Sequence, residues 1–248
     1  MQRSKSLAVS GAEKLPPPHF KINQLLLFLI LFLLPSVIPA QKFVKSSAFS
    51  PDLAINFKLN EDYFLNTKIE AFHYFVERDV NDSPIWVSNF DGTDFQLFLT
   101  KRLNPYNRVS LGYQYGFEPN DPGSHRIIQQ FSTISRPRNL TIGHRLRSDQ
   151  TFYQEESFKL RLRYRFSLEV PLQGQALDPG EFFLLASEEV LFDYQDSTVG
   201  FENRLVFNIG YMIKPSQKLQ FGFDLRSENG QLFTNNTLLV KLGWIVNL

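Results

Sequence analysis

The segment FKLRLRYRFSLEV, residues 158–170, places Lys159, Arg161, Arg163 and Arg165 at every second position with a bulky apolar residue in each gap. At about 100° per residue a helix would scatter these cations around its circumference, whereas a strand collects them on one face and Phe158, Leu160, Leu162, Tyr164, Phe166, Leu168 and Val170 on the other. The segment is therefore read as a strand with one charged and one greasy side. The same two-residue period recurs at 53–59, 63–76, 93–100, 109–117, 124–135, 139–147, 181–193, 201–213, 219–226 and 232–247. No amphipathic helix competes with these runs after residue 41. Turn-forming stretches such as LNPYN (103–107), EPNDPGS (118–124), SRPRN (135–139), QDST (195–198) and KPSQK (214–218) separate them.

Ahead of the strands, a polar leader carrying Arg3, Lys5, Lys14 and Lys21 runs into LLLFLILFLL (25–34), Pro35 and a small residue, Ala40. That order is the pattern of a secretory signal peptide, and its apolar core is short of the about 20 residues that span a bilayer. The expected organisation is a cleaved signal over 1–40, with cleavage after Ala40, and a single domain over 41–248. Cleavage removes four of the 26 bases and one of the 25 acids, leaving a formal charge of −2, so charge balance selects no partner, and export makes nucleic acid an unlikely one. The chain has no cysteine. A disulfide scaffold, a thiol nucleophile and a lipid-modified cysteine are thereby excluded.

Alternating strands suit both a soluble sandwich and a membrane barrel, and the wet face decides between them. In a membrane barrel the apolar face meets lipid and tolerates large aromatics, while the polar face lines the lumen. Phe, Leu and Tyr crowd the apolar faces here, and 25 phenylalanines would overfill the inside of a small soluble barrel. Turning Lys159, Arg161, Arg163 and Arg165 to lipid would cost up to about 2–4 kcal/mol each near the midplane. The expected fold is an all-β, closed antiparallel transmembrane barrel of 12 strands, with 10 as the alternative, in the bacterial outer membrane. Eleven runs are clear, and an even total would place a further strand in 42–50 or 85–90. Counting back from Leu248 groups 77–92, 118–124 and 148–157 as long outer loops and LNPYN, SRPRN and KPSQK as short turns at the other end. The last segment, LLVKLGWIVNL, alternates to an apolar Leu248 and looks like the strand such barrels offer to their assembly machinery, which with outer-membrane lipid forms the expected set of partners.

The ordered segments GYQYGFEPNDPGSHRIIQQ, HRLRSDQTF, FKLRLRYRFSLEVPLQGQALDPGEFFLLASEEV and FENRLVFNIGYMI resemble the small outer-membrane proteins grouped as domain-of-unknown-function family 2490. The resemblance spans roughly residues 50 to 227. Its family-like positions are His125, Arg126, Gln129, Arg145, Arg147, Arg161, Arg163, Arg165, Glu188 or Glu189, Asn203 and Arg204. Ser124 stands where such relatives commonly carry an acid, so no role for that carboxylate transfers. What the resemblance implies is an outer-membrane barrel without an assigned reaction.

No nucleophile elbow, HExxH, phosphate loop or cysteine pair is present, so no catalytic or metal-ligating set is assigned and no cofactor is expected. The candidate site is a lumen charge ladder of Arg145, Arg147, Lys159, Arg161, Arg163, Arg165 and Arg204, with Glu189, Glu202 and Asp224 as counter-charges. Twelve bases (these seven with Lys58, Lys68, Arg126, Arg226 and Lys241) face five acids (those three with Glu70 and Glu169), an excess of +7. The ladder suits either a salt network or an anion-attracting interior. Glu188 and Glu189 fall on opposite faces, which would bring one of them to a rim or require a bulge. The functional expectation is a non-enzymatic, porin-like barrel, either a narrow anion-preferring channel or a structural barrel with a basic lumen. One alternative is an outer-membrane lipid-modifying enzyme, for which His144 on an apolar face is the only hint. The other is a soluble periplasmic barrel that carries a lipid.

Overall fold

A computed structural model of the chain describes residues 44–78, 83–119, 121–154, 156–228 and 235–248. The expected signal peptide and its cleavage point lie outside the described residues. Within them the regular structure is entirely strand: β1 (Val44–Lys58), β2 (Tyr63–Arg78), β3 (Pro84–Arg102), β4 (Asn107–Phe117), β5 (Ser124–Ser135), β6 (Thr141–Tyr153), β7 (Lys159–Pro171), β8 (Phe182–Gln195), β9 (Thr198–Lys214), β10 (Gln217–Glu228) and β11 (Asn235–Asn247). Sequential neighbours pair antiparallel, and β1 closes the ring against β11 in parallel. Closure gives every strand two partners and leaves no edge, as a hydrocarbon surround demands.

Eleven strands replace the expected twelve or ten. Both stretches proposed for an extra strand are extensions of strands already counted. Residues 44–50 run straight into 51–58 as β1, through Pro51, which takes its place opposite Leu242 in the ladder with β11. Residues 84–92 run into β3, because Asp91-Gly92, a turn signal in sequence, is a bulge: Phe72 faces Gly92 and His73 faces Phe90, leaving Asp91 unpaired on the bulged strand. The odd count turns β1 parallel to β11 and places Val44 and Leu248 at opposite ends of the barrel, not at one.

The expected grouping of connections by end is observed. By the ends of the strands they join, the β2–β3, β4–β5, β6–β7, β8–β9 and β10–β11 connections belong to the end at which β1 starts, and the β1–β2, β3–β4, β5–β6, β7–β8 and β9–β10 connections to the other. The contrast in length is absent, since the ten-residue connection 172–181 lies at the supposed short-turn end, and 77–92 and 148–157 shrink as their flanking strands lengthen. The 196–197 connection is a tight hairpin with both residues at positive φ, Asp196 at 49° and Ser197 at 62°, a backbone that matches the strand twist.

Alternation sorts the side chains as expected. Leu111, Leu146, Leu162, Phe207, Phe221 and Phe223 stand exposed on the outer wall, while Glu70, Gln114, Arg147, Asp149, Arg163, Glu189, Glu202 and Asp224 are buried inside. This inside-out distribution belongs to a membrane barrel and reverses that of a lipid-carrying soluble one. Phenylalanines are interior too, Phe72 against Arg226 among them, and two of these rings sit over glycines. Phe98 lies opposite Gly112, and Phe183, wholly buried, lies opposite Gly210. In each pair the ring rests where a glycine Cβ would be, which keeps it flat against the neighbouring strand.

Candidate functional site: the arginine-lined lumen

The register between β6 and β7 sets Arg145 opposite Arg165, Arg147 opposite Arg163 and Asp149 opposite Arg161. Like charges directly opposite on neighbouring strands repel, so the arrangement stands only with acids interleaved. Glu189 on β8, opposite Arg165 on one side and Arg204 on the other, supplies the first. Its carboxylate accepts from Arg145 Nη2 at 2.8 Å, Arg163 Nη2 at 2.8 Å and Arg165 Nη2 at 3.1 Å. Asp149 supplies the second, accepting from Arg163 Nη1 at 3.1 Å and lying 3.0 Å from Arg147 Nε. Arg163 thus bridges the two carboxylates, and Arg147 ends the chain with its guanidinium 5.2 Å from the centre of the Phe98 ring.

Two further acids have their own cations. Glu202 binds Arg204, and Asp224 binds Arg226 at 3.0 Å, both two residues along the same strand. Across the barrel Glu70 accepts from Lys68 at 2.8 Å, from Lys241 and from Ser50 Oγ at 3.0 Å, with Asp52 3.7 Å from both lysines. Lys218 reaches Glu169 at 3.2 Å, and Lys159 lies 3.9 Å from Asp193.

The expected ladder is therefore assembled on one wall, with two differences. Glu189 pairs with Arg163 and Arg165 as anticipated, but Arg161 pairs with neither Glu189 nor Glu202. The count of +7 is also too high, because Asp52, Asp94, Asp149 and Asp193 face inward as well, more acids than the added base Lys218 offsets. Asp149 escaped the sequence reading for a local reason: Ser148 and Gln150 interrupt the apolar face, so the strand looks finished at Arg147. In the fold those two residues point outward, where Gln150 and Gln129 exchange hydrogen bonds at 2.9 and 3.0 Å and Gln150 also donates to Ser148 Oγ at 2.9 Å.

A cavity of about 480 Å³ occupies the middle of the lumen and extends to the end that carries the 118–123 connection. Its wall from β5, β6, β7 and β9 presents Arg126, Arg145, Arg147, Arg161, Arg163, Arg165 and Arg204; Asp91, Asp94 and Glu118 line the β3–β4 side, and Lys68, Arg226 and Lys241 line the remainder with their own acids. Burial, with the like charges of Asp91 and Asp121 beside it, holds the Glu118 carboxyl above its ordinary pKa. Four Nε atoms of the arginine wall, those of Arg145, Arg161, Arg163 and Arg165, are closed off from solvent without a hydrogen-bond acceptor among the described residues.

On the outer wall each described histidine has one hydroxyl partner. His144 Nδ1 bonds Tyr164 Oη at 2.9 Å, His125 Nδ1 bonds Tyr113 Oη at 2.6 Å, and His73 Nε2 bonds Ser88 Oγ at 3.1 Å. Glu188 needs neither rim nor bulge: it points outward from an unbroken strand and accepts from Asn203 Nδ2 at 3.0 Å. Phe166, paired with both residues, separates it from His144.

The fold is similar to that of LpxR from Salmonella typhimurium, at 10% sequence identity over 75% of this chain and 83% of that one, with a TM-score of 0.45. The expectation of a non-enzymatic barrel is withdrawn. Likeness at this level concerns barrel architecture and transfers no catalytic residue. No curated protein matches the chain. The model of a family described as "Protein of unknown function (DUF2490)" matches residues 52–237, three quarters of the chain, and the chain belongs to that family.

Proposed function

We propose that the protein is an outer-membrane barrel whose lumen admits small anions and, where it conducts, prefers them. One observation carries this reading: the basic wall holds more guanidinium groups than acids, and Arg161 and Arg126 line the cavity without a carboxylate in contact among the described residues. Unpaired charges in a dry interior cost several kcal/mol each (about 20 by the idealised Born estimate), so the lumen holds water or anions around them. In this reading Arg145, Arg147, Lys159, Arg161, Arg163, Arg165 and Arg204 set the sign of the field, and Glu189, Glu202 and Asp224 hold the ladder apart. The apolar wall faces outer-membrane lipid, β11 engages the assembly machinery, and residues 1–40 are the export signal.

Protein recovered from the outer-membrane fraction and reconstituted in planar bilayers tests the reading. The expected result is a reversal potential of anion-selective sign in a salt gradient, weakened when Arg161, Arg163 and Arg165 are replaced by glutamine. Cation preference, or recovery from the soluble periplasm, would overturn it.

A second reading, modification of an outer-membrane lipid at the outer wall, draws on the His144–Tyr164 hydrogen bond, an imidazole held on a face otherwise made for hydrocarbon. Lipopolysaccharide turnover by the wild type that His144→Ala abolishes is its expected signature, and turnover equal in the two proteins excludes His144 as its base.

A further inference from the structure

By register Arg161 faces Asp149 on one side and Asp193 on the other. Both acids are engaged elsewhere, Asp149 by Arg147 and Arg163 and Asp193 by Lys159. Arg161 makes no ion pair or hydrogen bond with another described residue and its Nε lacks an acceptor; Arg204, Arg126 and Arg163 lie close enough to repel it, and Glu202 close enough to attract it without touching it. Arg126 is in a similar position. It donates Nε to Thr151 Oγ1 at 2.8 Å and Nη1 to Gln114 Oε1 at 3.3 Å, both neutral oxygens. Two arginines on β5 and β7 thus border one cavity with no carboxylate in direct contact among the described residues.

A guanidinium presents its donors as a planar fork that matches the oxygens of a phosphoryl group, and several such forks around one space suit a dianion better than a monovalent ion. Along the β3–β4 side of the same cavity Asp94 and Glu118 offer carboxylate acceptors, with Tyr153 of β6 at its margin. Carboxylates there disfavour a second anionic group and favour hydroxyl donors. We propose that the lumen contains a discrete site for a phosphorylated polyol, with the phosphate on Arg126 and Arg161 and the hydroxyl-bearing body toward Asp94 and Glu118. The cavity's about 480 Å³ is within the range of small-molecule sites. The ligand is a free solute and not a lipid headgroup, because the space lies inside the barrel and acyl chains belong outside it. The inference rests on the anion-admitting lumen and names what that lumen selects.

Calorimetric titration of the purified, detergent-solubilised protein with glucose 6-phosphate, inorganic phosphate, glucose and dihexanoyl phosphatidic acid tests it. Glucose 6-phosphate is expected to bind saturably and more tightly than inorganic phosphate, and glucose not at all. Arg161→Gln and Arg126→Gln are each expected to weaken binding by about tenfold or more. Arg102→Gln, which alters an arginine held by Glu61 and Asp62 at the far rim, leaves binding unchanged. Mobility of the unboiled protein on a gel shows which variants have folded. The site is overturned if the wild type does not bind glucose 6-phosphate, if folded Arg161→Gln and Arg126→Gln barrels bind it as the wild type does, or if dihexanoyl phosphatidic acid alone binds. Anion-selective conductance without saturable binding would remove this site and leave the proposed function standing. Binding without conductance would leave both the site and the anion-admitting lumen standing and show that the lumen holds the anion without passing it.

Discussion

Replacing Glu189 by alanine is expected to destabilise the barrel by about 3–5 kcal/mol, the cost of stripping the partner from buried charges. Glu189 is 1% exposed and is shared by Arg145, Arg163 and Arg165. Without it Arg145 and Arg165, already opposite one another, keep no acid in contact, and Arg163 keeps only Asp149. The next residue provides the contrast. Glu188 lies on the outer wall with Asn203 as its hydrogen-bond partner, so Glu188→Gln removes a charge from a lipid-facing position, retains a hydrogen-bonding amide and is expected to leave stability unchanged or raise it. Urea unfolding in lipid vesicles, followed by tryptophan fluorescence, measures both variants. Equal effects would show that the two faces are not distinguished as the alternation requires.

Gly210→Val is expected to cost about 1–3 kcal/mol through overpacking. A Cβ at position 210 would fall among Cζ, Cε1 and Cε2 of the Phe183 ring, so the ring must leave the strand and turn into the lumen. Lys218, whose Nζ lies 4.8 Å from the centre of that ring and 3.2 Å from Glu169, would then have to move too. The same unfolding assay in a double-mutant cycle with Phe183→Leu checks the cause: a smaller ring substitute makes room for the valine, so the combined cost should fall below the sum of the two single costs. Strict additivity would mean that the glycine is there for another reason.

The features legible in sequence are those carried by a period of two. Which residues line the lumen follows from parity within a strand, and so the ladder from Lys159 to Arg165 was readable without any knowledge of its neighbours. Features that depend on register between strands were not. Asp149 could be recognised as an interior acid only once Gln129 was seen to satisfy Gln150 across β5 and β6, making an outward polar residue compatible with a continuing strand. Asp91-Gly92 is as good a turn signal as any in the chain, and only the longer partner β2 shows that the ladder passes through it. Arg161's lack of an acid is equally a long-range fact, since both of its cross-strand neighbours are acids whose carboxylates are taken by other cations.

The parallel seam has a consequence for rewiring the chain. Val44 lies beside Asn236 and Asn56 beside Asn247, so the two terminal strands run abreast in the same direction, and the start of β1 and the end of β11 lie at opposite mouths. In a barrel with an even number of strands the first and last residues meet at one rim, and a few glycines would splice them into a circle. Here a splice from Asn247 to Val44 must travel the full height of the wall. The 13 residues of β11 give the scale, roughly 43 Å at about 3.3 Å per residue. The shortest connector that keeps its backbone bonded in hydrocarbon is itself a strand, laid antiparallel between β11 and β1, so a circular permutant of this eleven-stranded barrel is a twelve-stranded one.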